Sequence, residues 1–292
     1  MKILITGGAG FISSRLSIKL ANFGHEVHIV DNLSESHESN VPSEAKFIFA
    51  DVSDSLAMKS IFKSKYDIVF HLAAISSTEL VYENLHQNVD TNIRATLDLV
   101  DLSSKTGVKK FIFASSMAVY GNPNNPNYPV TEHSATNVIS LYGLGKLISE
   151  LNCNQYIKND FEVVNTRFFN VYGAGQDIEN IKQGIVSIFA HYIYYDKPIL
   201  TKGSRERFRD FVYVDDVIDA LYLIASKKEK FINNTFNICS GKRTTIKDLQ
   251  ELLIKGFGKN IDSYPINVEG TTPADQFGIL DLSPNNFVYI QC

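Results

Sequence analysis

The chain has 292 residues, 44% hydrophobic and 21% charged, with a formal net charge of −4, which fits one large or two modest globular domains around a full core. That balance excludes a disordered chain and leaves no basic footprint for nucleic acid. The opening apolar run breaks at Gly7, too short for a signal peptide, and no window approaches the roughly eighteen apolar residues of a membrane span.

Three widely spaced cysteines, Cys153, Cys239 and Cys292, form no Cys-x-x-Cys pair. A cytoplasmic protein without a metal site is therefore expected. Residues 2–6 read as a short β-branched strand that ends at Gly7-Gly8-Ala9-Gly10. A helical pattern follows over 11–23, then a second buried strand over 26–30 ending at Asp31. Strand, glycine turn, helix and a terminal acid at this spacing define a βαβ unit that cradles a dinucleotide. The glycines let backbone approach a pyrophosphate, whose charge sits on the free N–H groups of the helix start. Asp31 can accept the adenosine ribose hydroxyls and repels a 2′-phosphate, so NAD is favoured over NADP. Where the spacing calls for a third glycine the chain has Ser13, and a small shift in helix–strand packing is expected.

The alternation continues with strands at 47–50, 66–72, 110–114 and 162–167. Helices are expected over 88–104, closed by Gly107, and around Tyr142 and Lys146. Asp51 follows the third strand within reach of an adenine amine, and Ala73-Ala74 follows the fourth, where small side chains let a cofactor lie against backbone. The Asn/Pro-rich segment 122–129 reads as an exposed loop. Beyond Arg167, residues 168–176 read as a loop leaving the sheet. An apolar helix over 185–195, a basic cluster at 205–210, a helix to Ala225, a strand over 235–239 and a helix over 245–255 follow. Strands alternating with helices predict an α/β, Rossmann-type doubly wound parallel sheet with a smaller C-terminal α/β substrate domain. The expected division is 1–173 plus 208–226 for the dinucleotide domain and 174–207 plus 227–292 for the substrate domain.

Tyr142 and Lys146 are four residues apart, so they share one helix face. An ammonium beside a phenol favours the phenolate, which makes the tyrosine a usable base near neutral pH. Alone the pair is a weak signal. Its place after a strand ending at Ser116, on the ligand side of a doubly wound sheet, gives it weight.

These motifs together resemble the extended short-chain dehydrogenase/reductases that act on nucleotide sugars, and the UDP-sugar 4-epimerases among them in particular. The likeness rests on Thr6-Gly7-Gly8-Ala9-Gly10-Phe11-Ile12, Val30-Asp31-Asn32, His71-Leu72-Ala73-Ala74, Ser115-Ser116 and Tyr142 with Lys146. Arg167-Phe168-Phe169-Asn170 and Arg209-Asp210-Phe211-Val212-Tyr213 extend it over nearly the whole chain. The resemblance implies that Gly7, Gly10, Phe11, Ile12, Asp31, Asn32, Asp51, Val52, Leu72, Ala73, Ala74, Asn92, Tyr142 and Lys146 hold NAD. It implies that Tyr142 takes the proton from the sugar 4-hydroxyl, that Ser116 hydrogen-bonds that oxygen, and that Lys146 depresses the tyrosine pKa. Asn170 and Arg209 would contact the diphosphate of a nucleotide sugar, with a UDP-hexose the expected partner and a homodimer the expected assembly.

Related dehydratases and decarboxylases carry acidic residues just after the active-site serine or threonine. Met117 and Ala118 stand there in this chain and can move no proton, so elimination is disfavoured. A 4-keto sugar reductase or dehydrogenase, and a non-catalytic NAD- or nucleotide-sugar-binding protein, stay open as alternatives. Towards the C-terminus Thr271 and Thr272 replace an expected phosphate-binding arginine before Pro273-Ala274-Asp275, and the family's final helix is expected to be shortened.

Overall fold

A computed structural model describes residues 1–76, 78–121 and 129–270, with backbone alone at 78 and 79. Residues 122–128 of the expected Asn/Pro-rich loop, and everything from Thr271 onward, lie outside the described residues.

The first half is built as β1 (Lys2–Thr6), α1 (Phe11–Asn22), β2 (Glu26–Asp31), β3 (Lys46–Phe49), α2 (Ser55–Phe62) and β4 (Ile68–His71). Next come α3 (Thr78–Glu83), α4 (Leu85–Asn88), a π-helical turn over Val89–Arg94 and α5 (Ala95–Thr106). Strand β5 (Lys110–Ser116), α6 (Leu141–Asn154) and β6 (Glu162–Phe168) follow. Helix α5 stops at Gly107 in the left-handed conformation (φ 85°), which a side chain would strain.

These strands join β11 (below) in one seven-stranded sheet of order β11-β6-β5-β4-β1-β2-β3, parallel at every pairing. Side chains alternate across it. Ile3 and Ile5 pack with Leu16 and Leu20 of α1, whereas Leu4 packs with Met58, Phe62 and Leu99 on the other face. Each such fully buried aliphatic side chain contributes about 1.5–3 kcal/mol. The order reverses beside β1, and a crevice opens there at the carboxyl ends of the strands.

The remainder comprises β7 (Asn170–Tyr172), α7 (Ile185–Tyr194), β8 (Ile199–Lys202), β9 (Phe208–Arg209), β10 (Phe211–Tyr213) and α8 (Val214–Ser226). It continues with β11 (Thr235–Ile238), β12 (Thr244–Thr245), α9 (Ile246–Gly256) and β13 (Ile266–Glu269). The stretch expected as a loop after Arg167 contains β7, which pairs in parallel with β10 because Val171 and Val212 turn into the main core. Strand β11 lies within the stretch the sequence division places in the smaller domain, yet it pairs with β6 at the edge of the main sheet and buries Ile238 there. Helices α7 and α9 enclose a separate apolar cluster of Phe189, Ile193, Ile199, Ile246, Leu249 and Ile254 beside the parallel β8–β13 pair. Among the described residues no helix is long and apolar enough to cross a membrane.

A polar chain runs through the main core. Thr96 Oγ1 donates to the Asn92 carbonyl (2.9 Å), so it accepts from His71 Nε2 (2.8 Å), which carries the ring hydrogen. Nδ1 of the neutral ring then accepts from Thr6 Oγ1 (2.7 Å), whose oxygen also accepts from Ala73 N–H (3.3 Å). Burial, with a smaller effect from the Lys146 charge, brings His71 down to about 3 from 6.5. The folded protein holds it neutral while the unfolded chain takes up a proton below pH 6.5, so its contribution is full above that pH and is lost as pH falls towards 3. Replacing His71 with Asn should cost ~1–3 kcal/mol at pH 7.5 and flatten the fall of the thermal midpoint between pH 6.5 and 4. An acid slope equal to that of the wild type would overturn this assignment.

Candidate active site

The crevice is a cleft of about 440 Å³ running from the β1–α1 turn across β4 and β5 to α7. At one end Gly7 and Gly8 N–H both donate to the Val30 carbonyl (2.8 and 3.1 Å), locking the turn onto β2. Gly7 has φ +68°, and a Cβ on it would lie 2.7 Å from the Ala73 backbone. A Cβ on Gly8 would lie 2.3 Å from that of Ile29. The glycines thus permit backbone-to-backbone packing beneath the cleft. Gly10 starts α1 without a side-chain cap, and the first turn of that helix holds no acid. Its N–H groups at Phe11 and Ile12 are left for an anion. Ser13 is buried where a third glycine was expected, and α1 runs unbroken through it.

Asp31 ends β2 at the cleft wall. Its Oδ2 accepts from Ala9 N–H (3.0 Å), while Oδ1 accepts from Leu33 N–H (2.8 Å) and Ser36 Oγ (3.0 Å). Two of these donors are backbone N–H groups of the turns around it, and Ser36 Oγ is the side-chain donor among the three. Asn32 donates to Asp51 Oδ2 (2.9 Å), whose Oδ1 receives Ser53 N–H and Oγ (both 2.7 Å). Burial works to raise the Asp51 pKa, but the hydrogen bonds from Ser53 and Asn32 outweigh it and keep the carboxyl below its usual value. Val52, Leu72, Ala73 and Ala74 also line the cleft.

Asn92 does not line it. Its amide is spent on the Ile75 backbone, accepting from Ile75 N–H (2.8 Å) and donating to Ile75 O (2.9 Å). It also donates to Asn88 Oδ1 (2.6 Å). The expected cofactor contact is therefore a clasp on the loop after β4. The Asn92 carbonyl, in the π-helical turn, accepts the hydroxyls of both Thr96 and Ser149.

Ser116 ends β5, and Tyr142 stands in the first turn of α6, capped by Ser140 Oγ on Gly143 N–H (3.0 Å). Both side chains line the cleft, and the Ser116 hydroxyl, which accepts from Ala118 N–H (3.2 Å), acts to favour the Tyr142 phenolate. Lys146 is buried, one turn on, and donates to the Ala114 carbonyl (2.7 Å) with its Nζ 5.9 Å from the Tyr142 ring centre. The expectation that Lys146 pulls the phenol down is not met by the protein groups. The ring of Tyr142 is half-buried by area, but its hydroxyl is enclosed, and this burial pushes it up to about 12 against the smaller opposing effect of Ser116. The ammonium points at Ala114 rather than at the phenol oxygen. Burial also brings Lys146 down to about 8, with the Glu150 charge opposing.

Asn170 lines the cleft beside Met117, with its amide donating to the Asp210 carbonyl (2.8 Å). Arg209 lies on β9, outside the cleft lining, and donates to Phe208 O (2.8 Å). Several groups escaped sequence reading. Ile75, Ser76, Gln176, Gln183 and Val186 close the cleft from three separate segments, where no local spacing marks them. Arg167, singled out as a strand-end residue, turns away from the cleft to pair with Glu150.

A dinucleotide cradle at one end and a serine–tyrosine–lysine cluster at the other define a site for nicotinamide-dependent chemistry. The chain belongs to the NAD dependent epimerase/dehydratase family, whose profile matches residues 3–239. It is similar to UDP-glucose 4-epimerase of Thermotoga maritima, solved with UDP-glucose, at 36% identity and a TM-score of 0.88, covering 97% of this chain and 90% of that one. UDP-glucose 4-epimerase of Thermus thermophilus, solved with NAD, is 26% identical with a TM-score of 0.87 over 97% and 91% of the two chains. UDP-glucose 4-epimerase of Mycolicibacterium smegmatis is 31% identical over 88% of this chain and 83% of its own. The expected fold class and cofactor agree with these relatives.

Proposed function

We propose that this chain inverts C4 of a UDP-hexose with NAD as its resident cofactor, through a transient 4-keto sugar. The observation that carries the reading is the grouping of Ser116, Tyr142 and buried Lys146 on one wall of the cleft whose other end is the dinucleotide cradle. The residues fit the cofactor. The uncapped α1 N-terminus offers N–H groups to a pyrophosphate, and Asp31 stands ready for a ribose. When bound, NAD supplies a carbon that accepts and returns a hydride and, in its oxidised form, a positive ring that favours the Tyr142 phenolate.

Within the protein, Tyr142 takes the proton of the sugar 4-hydroxyl and Ser116 Oγ holds that oxygen by a hydrogen bond. Lys146 would hold the nicotinamide ribose. Tyr142 would hand the proton back to the C4 oxygen, still held by Ser116, when a hydride recovered from bound NAD restores the alcohol with inverted configuration. Met117 and Ala118 offer no acid for elimination. The nucleotide contacts proposed are Gly7, Gly10, Phe11, Ile12, Asp31, Asn32, Asp51, Val52, Leu72, Ala73 and Ala74, with Asn92 acting behind them through Ile75. Asn170 and Arg209 are proposed for the diphosphate, and Arg209 reaches it by swinging from β9.

The proposed division assigns 1–173, 208–226 and the β11 strand to the cofactor domain. The cluster around α7, α9 and the β8–β13 pair forms the substrate domain. A cytoplasmic homodimer is part of the same proposal, supported by the exposed Leu97 of α5 and Leu144 and Leu151 of α6, which leave an apolar face on those helices.

Purified protein should interconvert UDP-glucose and UDP-galactose, or their N-acetyl forms, and release NAD on denaturation. Tyr142→Phe should lower kcat roughly 10²–10⁴-fold. Accumulation of NADH without any interconverted pair would instead mark a dehydrogenase or reductase. Arg209→Ala should raise KM about 10–100-fold with little change in kcat; a fall in kcat alone removes it from the diphosphate site. Sedimentation should find a dimer that Leu144→Glu with Leu151→Glu converts to monomer, and a monomeric wild type overturns the assembly.

A further inference from the structure

Glu150 follows Lys146 by four residues, so Tyr142, Lys146 and Glu150 form one stripe along α6. Its side chain is almost wholly buried, at 2% exposure, where an unpaired carboxylate is strongly disfavoured. Three donors meet it. Arg167 of β6 binds it with two parallel hydrogen bonds, Nε to Oε1 (2.9 Å) and Nη2 to Oε2 (2.6 Å). Ser115 of β5 donates to Oε1 (2.5 Å). Ser115 is the neighbour of Ser116, which lines the cleft with Tyr142. Arg167 is fixed in turn by the Tyr120 hydroxyl (2.9 Å), which donates to Asn237 of β11 (2.6 Å). Burial works against the Arg167 charge, but Glu150 outweighs it and raises the pKa.

We propose that Glu150 is a positioning residue for the proton-transfer pair: its carboxylate, clamped by Arg167 and Ser115, sets the rotation of α6 over β5 and β6 and supplies the negative charge that keeps Lys146 an ammonium. The inference deepens the epimerase reading and rests on it for the roles of Tyr142 and Lys146. The groups facing Lys146 are few. Helix α6 brings Tyr142, Glu150 and Cys153, β4 brings neutral His71, and β5 brings the Ala114 carbonyl and the Phe113 ring. Strand β6 brings Arg167, whose charge is directed at Glu150. Among them Glu150 has the largest effect favouring the ammonium, against burial.

Lys146 acts as a cation, so its contribution is present below its pKa and lost above it. Removing the negative neighbour disfavours the cation, so the pKa falls and the alkaline limb of activity moves to lower pH. A purely structural ion pair would lower stability and leave that limb in place.

The full chain, labelled with ¹³Cε-lysine, allows the Lys146 resonance to be identified by its loss in Lys146→Arg and followed with pH. In the wild type its midpoint should lie at about 8. Glu150→Gln should lower it by about one unit or more, whereas Glu150→Asp, which keeps the charge, should largely restore it. Glu150→Gln with Arg167→Met removes both buried charges, so it keeps the fold if the single change does not, and its midpoint should fall less than that of Glu150→Gln. The kcat profile should shift in parallel, with kcat affected more than KM. An unmoved Lys146 midpoint in the Gln variants, in an enzyme that interconverts UDP-hexoses, overturns the role of Glu150 and leaves the function intact. A shifted midpoint in a protein that turns over no UDP-hexose supports the clamp and overturns the function.

Discussion

Placing an ammonium and a carboxylate under one helix carries a desolvation penalty that can exceed their mutual attraction. Lys146 and Glu150 are both buried on α6, and the surrounding elements are arranged to meet their hydrogen-bonding needs. Lys146 is served by the carbonyl of Ala114, and Glu150 by Arg167 and Ser115. These partners come from β5 and β6, so strand order and helix register are tied to the chemistry. Rotating α6 by a fraction of a turn would strand both charges. The same constraint keeps Tyr142 against Ser116.

The opposite end of the cleft solves a different problem with backbone. Positive φ at Gly7 lets the β1–α1 turn press against the loop after β4, while the start of α1 stays uncapped. Two rigid clasps shape the floor between the ends. The Thr6–His71–Thr96 chain fixes Ala73, and Asn92 fixes Ile75. Neither clasp reaches the cleft through its own side chain, but both determine where the cleft wall lies.

The phenol and the lysine share a helix face, as the four-residue spacing requires, yet face and distance are not enough. Which atom the ammonium addresses depends on the Ala114 carbonyl, a group on another strand. Asn92 shows the same limit. Its position in the chain matches a cofactor contact, while the π-helical turn and the Ile75 backbone capture its amide. Arg209 likewise sits on a short strand paired with β12, outside the lining of the cleft, because its orientation comes from a pairing 35 residues away (Arg209 to Thr244).

Local order was legible in the chain wherever local physics dominates. Apolar periodicity and the glycine turn marked β1, α1, β2, β5 and β6 to within a few residues, and Gly107 marked the end of α5. Asp31, Ser116, Tyr142 and Lys146 stood out because a motif places each at a strand end or on one helix face. Tertiary structure alone decided the membership of β11 in the main sheet, the pairing of β7 with β10, and the Glu150–Arg167–Ser115 clamp. It also decided the charge environment of the tyrosine and lysine, since desolvation depends on everything packed around a group. Spacing along the chain sets which side chains share a face. What those side chains meet across the interface is set by partners far away in sequence.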